Sequence, residues 1–270
     1  MRGKQTIRRR HYLTVGLACL ALTSGALADP SPQLADNHSD FEGVWAPEPL
    51  APQRPGRPFP PDGPVPHSGP MEVSQEDQAK GLDHGDMRTR DLMTDAGKAK
   101  FATYDPLLNP ASNCQTPGLP SIAHIPELQK WPLDDDTLTI RPESWQTVRT
   151  AYLVPTASPE GPHTVLGHAI ARFEGTTLII DTTHLNAQWA GLGRNAPGSD
   201  QRTVRETYRM IDHDTIRGVV EITDPLYLKR PMIMPITLRR QPKGTQIVDF
   251  PCDVEVSQRD CFYIRAGVEK

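Results

Sequence analysis

Apolar and polar residues alternate along six short stretches between Trp145 and Arg240: WQTVRTAYLV, VLGHAIARF, TTLIIDTT, RTVRETYRM, TIRGVVEIT and MIMPITLRR. A period of two marks a β-strand with one buried face. The breaks carry turn residues, among them Glu174-Gly175 and Asp212-His213-Asp214. No stretch of helical period separates the six, which predicts a mainly β fold built on an antiparallel meander. A meander must close or be covered to protect its edges, so a curled sheet or an up-and-down barrel is expected. Upstream, Thr94-Asp95 followed by AGKAKFATY reads as a short helix with Thr94 as N-cap, ended by Asp105-Pro106. Leu107 to Pro126 reads as an irregular connection. Leu133 to Ile140, LDDDTLTI, reads as a turn feeding a short strand.

The alternation also assigns faces. Val204, Glu206, Tyr208 and Met210 share one side of their strand, which turns Glu206 inward; Arg205, Thr207 and Arg209 share the other. Ile216, Gly218, Val220 and Ile222 lie opposite Arg217 and Glu221. His168, Ile170 and Arg172 lie together. A two-residue turn at Glu174-Gly175 sets Phe173 against Thr176 and His168 against Asp181. A three-residue turn, Phe173-Glu174-Gly175, slips the register by one and moves Asp181 to the other face. The reluctance of glutamate to adopt positive φ favours the longer turn.

Ionisable groups inside an apolar hairpin cost free energy unless they are paired or used. Gly167 to Asn186, GHAIARFEGTTLIIDTTHLN, carries His168, Arg172 and Asp181 in such a setting. Arg149, His168, Arg172, Glu206 and Tyr208 are the candidate ligand-binding residues, placed to orient a small, partly apolar molecule in a barrel mouth or interior. The alternative is a cofactor-independent isomerase, lyase or hydrolase. There His168 is acid or base, Asp181 orients it and an arginine stabilises developing negative charge. The bland counterparts are a sheet histidine satisfied by a neighbour and an ion-pair network of Arg149, Arg172 and Glu206. The sequence holds no G-x-S-x-G elbow, Gly-rich phosphate loop, CxxC or HExxH, so no cofactor or metal is expected.

The ends of the chain change this picture. Arg2, Lys4, Arg8, Arg9 and Arg10 precede an apolar run, Tyr12 to Ala28, that closes on Ala26-Leu27-Ala28. This is the pattern of an export signal cleaved after residue 28, and Arg9-Arg10-His11-Tyr12-Leu13 resembles a twin-arginine signal. The run is too short to span a bilayer comfortably, and no later segment approaches the ~20 apolar residues of a spanning helix, so no membrane insertion is expected. Removing its five basic residues from the chain's 29 leaves 24 against 33 acidic ones, a net charge of −9. That balance argues against nucleic acid and anionic membranes and suits a periplasmic or secreted protein. Residues 29–70 form a proline-rich extended segment, with ten prolines between Pro47 and Pro70. Residues 71–142 are read as mixed helix and irregular chain packing on the barrel, and 143–270 as the β domain. Cys19 leaves with the signal. Among Cys114, Cys252 and Cys261 an oxidising compartment favours a disulfide; Cys252–Cys261 closes the shortest loop and is preferred, with Cys114–Cys252 as rival.

Several segments resemble a group of exported proteobacterial proteins of unassigned function. GHAIARFEGTTLIIDTTHLN is similar to that group's G-H-S-x-G-R-W-E-G-D-T-L-V-V-D-T-T-G-F-N signature. MTDAGKAKF, Cys114 to Pro120 (CQTPGLP) and Asp224 to Pro231 (DPLYLKRP) match further segments of the group. The resemblance runs from about Leu92 to Cys252 and implies export but no activity. Ala169 and Ala171 depart from Ser and Gly, Thr176 from Asp, and His184 and Leu185 from Gly and Phe. Gly198 stands where the group carries a histidine, so a site needing that histidine is impaired here. Phe41 to Trp45, FEGVW, resembles the G-x-W strand that opens lipocalin-like barrels.

Overall fold

The computed structural model describes residues 38–48, 84–153 and 161–259. The expected signal peptide, most of the proline-rich segment and Cys261 lie outside the described residues. Nine strands run in chain order: β1 (Gly43–Pro47), β2 (Gln129–Trp131), β3 (Thr137–Pro142), β4 (Arg149–Tyr152), β5 (His168–Glu174), β6 (Thr177–Thr183), β7 (Thr203–Asp212), β8 (Thr215–Thr223) and β9 (Met232–Arg240). Each pairs with the next, and β9 returns to β1 with Trp45 opposite Arg240, so the sheet closes into a barrel. Closure removes the edges that a meander would expose. Two short helices precede β2: α1 (His84–Leu92) and α2 (Asp95–Phe101). Strands β1 to β3 come from upstream of residue 143 and are full members of the barrel.

The alternation read from the sequence sets the inward face. Along β7 buried Val204, Glu206, Tyr208 and Met210 alternate with exposed or half-buried neighbours, and β8 follows suit until its outer end. The barrel core gathers Trp45, Trp131, Leu178, Ile180, Tyr208, Ile216 and Leu238. A second core, with Phe101, Leu119, Trp189, Leu192, Val220 and Ile222, packs the helical segment and the loop after β6 against the same sheet. Thr94 caps α2 as expected, accepting from the Gly97 amide at 3.1 Å. Gly97 is where α2 approaches the barrel: a Cβ there would lie 2.5 Å from the Tyr227 carbonyl. At the closure seam the Arg240 guanidinium lies 4.3 Å over the Trp45 ring. It donates to the carbonyls of Asp40, Glu42 and His213, tying the chain before β1 to the β8 turn.

Three expectations are corrected. The meander is not antiparallel throughout, because β4 and β5 pair in parallel, Ala151 opposite Ala169. The β5–β6 hairpin adopts neither expected register. Its turn residues are Gly175 and Thr176, with Glu174 opposite Thr177. Gly175 takes a left-handed φ of 58° at the first central position, which a II′ turn reserves for glycine. His168 therefore faces Thr183, and Asp181 faces Ile170. Finally, the disulfide joins Cys114 to Cys252, Cα atoms 5.7 Å apart, rather than Cys252 to Cys261. The path of the C-terminal arm explains this: Val248 N donates to the Glu143 carboxylate and Phe250 N to the Glu143 carbonyl, which carries Cys252 back to the turn ending at Cys114.

Candidate functional site

The inward faces of β4, β6 and β7 and the short β2 place a polar group in the barrel. Arg149 Nη2 donates to the Glu206 carboxylate and, at 2.8 Å, to Thr182 Oγ1. Tyr208 OH donates to the other Glu206 oxygen at 2.8 Å. All four side chains are buried. Burial, reinforced by the neighbouring Glu206 charge, pushes the Tyr208 hydroxyl well above the usual tyrosine pKa, so it is held as a donor. The Trp131 ring meets Tyr208 edge-on at 5.1 Å, and Trp131 Nε1 donates to Gln129 Oε1 at 3.2 Å.

This cluster opens on a cavity of about 10 Å³ lined by Ile122, Ala123, Gln129, Thr147, Arg149 and Glu206, roughly the space of one water. Its roof is the 3₁₀ turn Ser121–His124, pinned by Ser121 Oγ donating to the Ala190 carbonyl at 2.8 Å and Ile122 N to the Gly118 carbonyl at 2.8 Å. Among the described residues, three lining atoms are buried without a hydrogen-bond partner: Gln129 Nε2, Thr147 Oγ1 and Arg149 Nε. His124, on the roof turn, does not line the cavity; its ring lies within reach of the Met234 and Pro235 carbonyls. Burial lowers the His124 pKa below the ordinary histidine value, against the opposing pull of the Pro120 carbonyl and the Glu206 charge.

The structure thus brings together Arg149, Glu206 and Tyr208. It does not bring His168, Arg172 or Asp181 to them. Ala169 and Ala171 are the inward residues of β5, and His168, Arg172 and Asp181 stand on the outer face. Asp181 accepts from Arg172 at 2.7 Å and from Arg205 at 2.6 Å, and Arg172 also donates to Glu174 at 2.9 Å. Partial burial works against ionisation of Asp181, but the two arginines outweigh it and lower its pKa. His168 stacks on Tyr152 with ring centroids 5.5 Å apart, and its Nε2 has no partner. Among the described residues no carboxylate orients it, and the His168–Asp181 pair of the enzyme alternative is not formed. The corrected register is the cause.

Gln129, Thr147, Thr182 and His124 escaped sequence reading. Gln129 sits in a strand of three residues, too short to alternate. Thr147 follows a turn at which Trp145 and Gln146 take positive φ. Only Thr182 carried a usable signal, since it shares the inward phase of Leu178 and Ile180.

A second buried polar group is architectural. Asp224 accepts from Ser199 N and Oγ, each at 2.7 Å, and from the amides of Leu226 and Tyr227. Arg202 donates to the Ser199 carbonyl at 2.8 Å, and burial lowers its pKa to about 10. A Cβ on Gly198 would lie 2.1 Å from Arg202 Nη1. The position where the resembling group carries histidine therefore has no room for a side chain. Among the described residues no group of His, Cys, Asp and Glu is arranged to hold a metal ion, and no helix is long and apolar enough to cross a membrane. Comparison with protein-family models, curated proteins and solved structures finds no match to this chain.

Proposed function

We propose that this protein is a small-molecule-binding β-barrel, acting in the periplasm or after secretion, in which Arg149, Glu206 and Tyr208 fix the polar end of the ligand. The observation that carries this reading is the set of buried, partnerless polar atoms on Gln129, Thr147 and Arg149 around one cavity. Buried donors without acceptors cost about 1–3 kcal/mol each, and a polar ligand would recover that. The cavity accommodates only about 10 Å³ with the roof in place. Access for a ligand larger than one water therefore requires the Ser121–His124 turn to swing outward, which breaks the Ser121–Ala190 hydrogen bond and lifts buried Ile122 and Ala123 from the core. The apolar residues Ile122, Ile140 and Pro142 on the same wall suit a partly apolar molecule.

Export is supported by the basic head and the Ala26-Leu27-Ala28 end of the leader, and by the Cys114–Cys252 disulfide. The proposed kinship is with the exported proteobacterial group named above, and the acidic balance of the exported chain speaks against nucleic-acid partners. Native mass spectrometry of the protein released from the periplasm tests both points. The expected result is a chain lacking residues 1–28 that carries a small-molecule adduct, lost on denaturation. A full-length cytoplasmic chain would overturn the export reading. A bare chain whose melting temperature is unmoved by periplasmic small-molecule extract would overturn the binding reading.

A further inference from the structure

We infer that the cavity recognises a neutral carbonyl oxygen, as in a ketone, ester or amide, and discriminates against a carboxylate. The inference rests on the binding reading above and names the group that is bound. Gln129, Thr147 and Arg149 are only 2%, 5% and 4% exposed and line the cavity, so their partnerless atoms are shut away from bulk water. Two of those atoms, Gln129 Nε2 and Arg149 Nε, can only donate, and Thr147 Oγ1 can also donate. The nearby acceptors other than Thr147 Oγ1 are engaged. Glu206 takes hydrogens from Arg149 and Tyr208, Gln129 Oε1 takes one from Trp131, and Thr182 Oγ1 takes one from Arg149. The site therefore calls for an acceptor.

Charge selects which acceptor. Arg149 and Glu206 already neutralise one another as a buried ion pair. A carboxylate would bring an uncompensated negative charge beside Glu206 in a low-dielectric interior, where such a charge is heavily penalised. A carbonyl oxygen accepts the same hydrogen bonds and adds no charge. Ile122, Ala123, Ile140 and Pro142 give its carbon substituents an apolar wall.

Acetamide and acetate, nearly the same in shape, separate the two cases. Each is titrated into the exported, disulfide-bonded protein labelled with nitrogen-15, following the side-chain resonances of Arg149 Nε and Gln129 Nε2. The expected result is saturable movement of both resonances with acetamide and at least ten-fold weaker response to acetate. Gln129→Met and Thr147→Val, which keep side-chain volume nearly constant, should each weaken acetamide binding about 3- to 10-fold. Equal or tighter binding of acetate, or no response to either probe, would overturn the inference. A carboxylate compound that raises the melting temperature and moves the Arg149 Nε resonance would do so too while leaving the binding reading intact, which keeps the two failures distinguishable.

Discussion

Arg149 and Glu206 form a salt bridge across the barrel lumen, joining β4 to β7, two strands separated in the wall by β5 and β6. Their side chains are 4% and 1% exposed. Removing two charges from water costs several kcal/mol per ion, so the pair persists because its hydrogen bonds are extended by Thr182 and Tyr208. Breaking it should be far worse than replacing it. Glu206→Leu or Arg149→Met alone should lower unfolding free energy by about 3–5 kcal/mol, and the double variant Arg149→Met/Glu206→Leu should cost clearly less than the sum. Urea denaturation of the four proteins measures the coupling.

The outer-face ladder predicts the opposite. Arg172, Asp181 and Arg205 are about one-third to one-half exposed, and exposed pairs contribute ~0–1 kcal/mol. Asp181→Asn and His168→Ala should each shift stability by under about 1 kcal/mol and leave ligand binding unchanged. Removing His168 strands no hydrogen-bond partner, since its Nε2 has none. Loss of binding in His168→Ala at unchanged stability would return the site to the outer face.

His124 gives a pH dependence with a definite sign. Its folded pKa lies below the ordinary value of about 6.5 because it is buried. As pH falls below that value the unfolded chain takes up a proton that the folded chain refuses, so stability declines until the folded pKa is passed and then levels off. His124→Gln should flatten this part of the stability profile, measured by urea midpoints across pH 5–8. An unchanged slope would mean that His124 is not enclosed in solution.

Gly198 is required by the passage of Arg202. Gly198→Ala should destabilise by at least the 1–3 kcal/mol typical of overpacking, because the colliding atom is the buried, hydrogen-bonded guanidinium of Arg202. Gly175→Ala is the control: a Cβ there meets nothing within 4 Å, so only the strain of its left-handed φ is felt. Thermal melts of the two variants compare steric and conformational costs directly.

The sequence carried most of the strand order and little of the site. Strict alternation made β7 and β8 legible and turned Glu206 and Tyr208 inward correctly. Thr94 was legible as a cap because a threonine before Asp95 and an alanine-rich run has few other uses. The hairpin register was not: the sequence left two turns open, and the structure closes a third, with Gly175 left-handed and Glu174 opposite Thr177. Asp181 thus lies opposite Ile170, on the same face as His168 but not across from it, as in neither expected register. The parallel β4–β5 pairing and the Cys114–Cys252 bond depend on chain paths that leave no local signature. Gln129 and Thr147 came from a three-residue strand and a turn, where period carries no information.

The most direct test of a ligand site in this barrel is a thermal-shift screen of small neutral metabolites against the exported protein and its Gln129→Met variant. A compound that binds only the folded state raises the melting temperature with the logarithm of its concentration. At least one such compound is expected for the native protein, with the shift sharply reduced in Gln129→Met. No stabilising compound, or a shift of equal size in both proteins, would contradict it.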